Sequence, residues 1–125
     1  MSTLTIYRAI SLQELEMIEA SGFTRFPPRL PDQPVLCLSL QFAHAEQLAR
    51  DWIARFCVPP AGFVTQCDVV LEFLKNYRTE PVEGTAFREY QIPSDDVLRF
   101  NNSIVGQIEI AAEFYGEFHE EDTIE

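Results

Sequence analysis

Residues 3–10, TLTIYRAI, alternate in a period of two, which predicts a β-strand. Leu4, Ile6, Arg8 and Ile10 fall on one face, so a guanidinium interrupts an aliphatic row. Residues 11–22, SLQELEMIEASG, change to helical spacing. Leu12, Leu15 and Ile18 make an apolar stripe, Ser11 and Glu14 have capping-box spacing, and Gly22 is a C-terminal stop. Four prolines make residues 23–34 a loop. VLCLS (35–39) reads as a short central strand. FAHAEQLARDWIARF (42–56) reads as a helix with Ala45, Leu48, Trp52 and Phe56 near one face, ended by Pro59-Pro60.

In the second half, FVTQCDVVLEFL (63–74) alternates throughout and predicts a half-exposed antiparallel strand. Residues 76–85 form a polar loop, and 86–93 a strand stopped by Pro93. Residues 94–104 predict a short helix with Ser94 as N-cap, and 106–116 a closing strand. Mixed elements followed by antiparallel strands make an α+β class domain over 1–116, with an acidic tail at 117–125.

Composition narrows the partners. The chain has 125 residues, of which 46% are hydrophobic, enough for one core and against disorder. The formal net charge is −11, with a pI near 4.5. Such a surface disfavours nucleic-acid backbones and anionic membranes, and favours solubility or a basic protein partner. No apolar run is long enough to span a membrane, and no basic-then-apolar leader begins the chain. Three cysteines without a CxxC pair fit small buried hydrophobes in a reducing, cytoplasmic setting. His44 and His119 lack ligand-spaced partners, so no metal is expected. There is no GxGxxG or P-loop.

Arg8 has two readings. It pairs with a carboxylate such as Glu72 or Glu89, or it waits at a cleft for an anionic ligand suited to its planar fork. Glu89 alone reads as an exposed strand carboxylate, and Ser39 alone as a helix N-cap.

Three segments, LTIYRAISLQELEMIEASG, LCLSLQFAHAEQLARDW and FREYQIPSDDVLRFNNSIVGQIEIAAEF, resemble small bacterial proteins of the ADP-ribosyltransferase-like fold. The likeness rests on Tyr7-Arg8 before a capped helix, Ser39 at a strand end, and Glu89-Tyr90-Gln91-Ile92-Pro93 in a late strand. It implies two small sheets facing a cleft that holds NAD. Tyr7, Arg8 and Ser39 would bind or support the dinucleotide, and Glu89 and Gln91 would occupy the catalytic motif. In that fold a glutamate steadies the oxocarbenium-like cation as nicotinamide leaves. Two registers stay open, because either Glu89 or Gln91 takes the catalytic place. The central strand reads Ser39-Leu40-Gln41 where the family often has Ser-x-Ser. The implied activities are ADP-ribosyl transfer or NAD hydrolysis; the alternatives are a non-catalytic nucleotide- or protein-binding module and an acidic interaction protein of immunity type. By the same analogy the proline-rich loop lies near the cleft, which brings Arg25, Phe26 and Arg29 within reach of a ligand; its RFPPRLP segment is otherwise an extended loop or a polyproline ligand.

Overall fold

A computed structural model describes residues 1–116. The expected acidic tail, with His119, lies outside the described residues. The elements run β1 (Thr3–Ser11), α1 (Leu12–Ala20), β2 (Val35–Ser39) and α2 (Phe42–Gln47). A π-helical stretch, Leu48–Ile53, continues α2 into α3 (Ala54–Phe56). Then follow β3 (Ala61–Val70), α4 (Leu71–Leu74), β4 (Glu80–Pro81), β5 (Arg88–Pro93), a 3-10 turn (Ser94–Asp96), α5 (Val97–Asn102) and β6 (Ile104–Tyr115).

The class is α+β. The strands form one antiparallel sheet in the order β4-β5-β2-β1-β3-β6, where two separate sheets were expected. The join between β2 and β1 is narrow, a single registered pair, Tyr7 with Ser39. By contrast β1 and β3 run together from Thr3–Val70 to Ser11–Gly62, and β2 and β5 from Val35–Pro93 to Ser39–Glu89.

Both faces of the sheet are covered. Ile6, Ile10, Ile18, Leu36, Leu38, Ile92 and Phe100 belong to the larger core, against which Leu12 and Leu15 of α1 also pack. On the other side Ala45, Ala49 and Val64 are buried among Tyr7, Phe42 and Phe114. Gly62 is required there, because a Cβ would collide with the Ala49 carbonyl oxygen.

Several expectations are corrected. The 63–74 segment is an inner strand, buried from Ala61 to Thr65, and it turns helical at Leu71. The β1 ladder ends at Thr3–Val70, so residues beyond it have no neighbouring strand there; the chain coils and buries Leu74. The 42–56 helix is π-helical in its middle. Its Trp52 and Phe56 are exposed rather than part of a core stripe. Ser94 makes no side-chain cap; its amide donates to the Pro34 carbonyl at 2.9 Å. Of the free cysteines Cys67 is buried, while Cys37 and Cys57 are only partly so. No helix among the described residues is long and apolar enough to cross a membrane.

Candidate functional site

Where β1 and β2 part beyond the Tyr7–Ser39 pair, Arg8 stands at the opening. Its backbone is fixed by β3, since the buried Thr65 hydroxyl donates to the Arg8 carbonyl at 2.9 Å. Neither Glu72 nor Glu89 is its partner. Arg8 Nε donates to Glu14 Oε2 at 2.8 Å and Arg8 Nη2 to Glu14 Oε1 at 2.9 Å, a two-pronged ion pair. Arg8 Nη1 donates across the gap to the Cys37 carbonyl at 3.1 Å. The two side chains are 13% and 15% exposed, so this pair is shielded far more than a surface salt bridge.

Helix α1 makes that pairing possible. Ser11 accepts the Glu14 amide at 3.3 Å, as the capping spacing predicts. The Glu14 carboxylate, which a full capping box would turn back to the Ser11 amide, goes to Arg8 instead.

Across this gap lies the β2–β5 ladder, whose polar residues are on the sheet face opposite to the one Arg8 shares with Ile6 and Ile10. Leu36, Leu38, Tyr90 and Ile92 point to the core, so alternation puts Cys37, Ser39, Glu89 and Gln91 on the other face. Gln91 Nε2 donates to Glu89 Oε2 at 2.9 Å, which orients the carboxylate. Ser39 does not cap α2, whose N-cap is Gln41. Its Oγ lies 2.8 Å from His44 Nδ1, both residues being buried, and the His44 ring stacks on Phe87 at 5.2 Å. Burial holds the His44 pKa below its ordinary value, against the smaller upward pull of Glu89. Tyr7 is drawn to the α2 side, with its ring edge on Phe42.

The Cys37 thiol feels several charges. Burial raises its thiol pKa first, and the Glu89 carboxylate adds to the rise; Arg8 and Arg29 pull the other way. The structure joins Glu89 to Gln91 and pairs Ser39 with Glu89 across the β2–β5 ladder, whereas Arg8 touches that ladder at the Cys37 carbonyl. Pattern reading missed Glu14, Cys37 and His44 as neighbours, since they are joined by strand register and helix docking rather than local spacing.

Arg29 arrives from the proline-rich loop. That loop is pinned three residues earlier, where Phe26 and Asn101 exchange hydrogen bonds of 2.9 and 3.0 Å. It is pinned again just after, where the Gln33 amide reaches the Leu30 carbonyl at 2.8 Å. Phe26 is buried in the core, so it does not face a ligand as the analogy implied. Arg25 instead lines a groove of about 550 Å³ between α1 and α5, with Met17, Phe26, Pro28 and Leu98. That groove contains none of Tyr7, Arg8, Ser39, Glu89 and Gln91. Its lining is mostly apolar.

Among the described residues no group of three or more His, Cys, Asp or Glu is placed to hold a metal ion. Comparison with protein-family models, with curated proteins and with solved structures finds no match.

Proposed function

We propose that the crevice between β1 and the β2–β5 ladder binds NAD, in a domain of ADP-ribosyltransferase-like build. The observation that carries this reading is the Arg8 guanidinium reaching the Cys37 carbonyl at 3.1 Å, on a ladder whose next strand holds Glu89 hydrogen-bonded to Gln91. Cations at one end suit a pyrophosphate, and a carboxylate at the other suits a ribose hydroxyl and a developing sugar cation. The narrow Tyr7–Ser39 join supports treating the sheet as two half-sheets opening on a cleft. The Gln91–Glu89 hydrogen bond favours the register in which Glu89 steadies the cation and Gln91 orients it.

In this reading the glycosidic bond to nicotinamide breaks, its electron pair leaves with nicotinamide, and water or a protein nucleophile takes the ribose carbon. The test is nicotinamide release from NAD by the purified protein. Wild type releases it and Glu89→Gln loses release by at least tenfold while still binding NAD. NAD binding without release by wild type overturns the enzymatic reading; absence of NAD binding overturns the whole proposal.

A second reading, a non-catalytic nucleotide-binding module, is favoured by one contact. The Arg8 fork is already satisfied by Glu14, which leaves less cationic charge for substrate than the resemblance implies. Calorimetric binding of NAD and ADP-ribose without turnover selects it.

A further inference from the structure

The groove of about 550 Å³ between α1 and α5 has the size of a small-ligand site. Its floor is buried, Phe26 and Val97 being 2% and 4% exposed, while Met17 on α1 and Leu98 on α5 stand open at 58% and 60%. Large apolar side chains left in water beside an apolar floor, with polar groups around them, mark a surface that something covers. The walls are fixed before anything binds. The Ser21 hydroxyl donates to the Ile18 carbonyl at 2.6 Å and accepts the Thr24 and Arg25 amides at 3.2 and 3.1 Å. Phe26 and Asn101 exchange two hydrogen bonds, and the Ser94 amide is held by the Pro34 carbonyl.

Two opposite charges line this groove, Arg25 and Asp95. The ion pairs among the described residues are Arg8–Glu14, Arg50–Asp51, Glu72–Lys75 and Asp96–Arg99, so Arg25 and Asp95 are paired there neither with each other nor with another side chain. They belong to opposite ends of α5. Arg25 precedes Phe26, which is bonded to Asn101 near the end of that helix, whereas Asp95 lies in the turn before its start. Asp95 and Asn101 are six positions apart, a span of about 9 Å at helical rise.

We propose that this groove binds a short peptide with free ends and apolar side chains, its ammonium group at Asp95 and its carboxylate at Arg25. Three residues match the span, since an extended chain covers at most about 3.3–3.6 Å per residue. The side chains lie on Phe26 and Val97, and Met17, with its flexible thioether, adapts to their shape. Charge selects this occupant. A purely anionic ligand meets Asp95 and the net charge of −11, and a purely cationic one meets Arg25; a zwitterion satisfies both ends. The inference does not rest on the NAD reading, because the groove contains none of Arg8, Ser39, Glu89 and Gln91.

The experiment is a nuclear magnetic resonance titration of the isotope-labelled full chain with the tripeptide Leu-Leu-Leu, its N-acetyl form and its C-terminal amide. The Met17 methyl and the Asn101 side-chain amide report on the groove. The free tripeptide gives saturable shifts at both. Blocking either end weakens binding about threefold or more, as loss of one partly exposed ion pair predicts. Asp95→Asn weakens the free tripeptide by the same factor and leaves the N-acetyl form unchanged; Arg25→Gln weakens the free tripeptide and leaves the amide form unchanged. Both residues are exposed, so these variants keep the fold, and the blocked peptides ask the same question of wild type alone. No saturation by the free tripeptide, shifts confined to other parts of the chain, or equal binding of free and blocked forms overturns the inference. So does a Met17 shift that follows protein concentration without peptide, which assigns the groove to a second copy of the chain.

Discussion

The two sides of the Tyr7–Ser39 join are built differently. On one side β1, β3 and β6 form long ladders, and β3 is buried from Ala61 to Thr65. On the other, β2 and β5 are short, β4 has only two residues, and one face of β2–β5 carries Cys37, Ser39, Glu89 and Gln91. Both sides bury core residues, Leu36, Leu38 and Ile92 on the second among them, but the second also displays a polar face. The two meet where registered pairing between β1 and β2 is confined to one position.

Substitutions sharpen that contrast. The largest loss belongs to the shared core: Phe100→Ala, which removes a fully buried ring packed on Phe26 and Phe73, costs about 3–5 kcal/mol in denaturant unfolding. Cutting Arg8 or Glu14 to Ala leaves its partner shielded and uncompensated, and costs ~2 kcal/mol by the same measurement. Ser39→Ala leaves His44 Nδ1 without its hydroxyl and costs ~1 kcal/mol. Gln91→Ala, on an exposed position, changes stability by less than about 0.5 kcal/mol while lowering any nicotinamide release. A Gln91→Ala loss as large as that of Arg8→Ala would erase the distinction between scaffold and display.

Acid gives a further test. The folded-state pKa of His44 lies below the ordinary 6.5, so the unfolded chain binds the proton more readily. The stability that His44 contributes is present above about pH 6.5 and is lost as pH falls through that value toward the folded pKa. Unfolding free energy measured from pH 8 to 5 should decline, and His44→Gln should flatten that part of the decline. An unchanged slope in His44→Gln would remove the histidine from the account.

Local rules carried the reading of the fold furthest where partners are close in sequence. Ser11 and the start of α1 are an example, because a cap needs only three residues and one hydroxyl. The aliphatic faces of β1 and β2 were equally legible from alternation. The pattern failed at Leu71–Leu74, where alternation continues but the neighbouring strand ends. It also failed on the partner of Arg8, because Glu14 was already assigned to the cap and only the fold of α1 against β1 turns its carboxylate onto Arg8. Arg8, Ser39, Glu89 and Gln91 were legible as polar positions on strands. Arg29 was named only as one of several loop residues, since nothing in a proline-rich segment distinguishes a buried arginine from a solvated one.

Strand β6 has one further consequence. It is twelve residues long and forms the outer border of the sheet, with no strand beyond it among the described residues. Such a border invites edge-to-edge association, and its Glu109 and Glu113 place negative charge along it. Near the isoelectric point of about 4.5 the repulsion between molecules fades, so acidified solutions should turn cloudy through this border before the core itself melts.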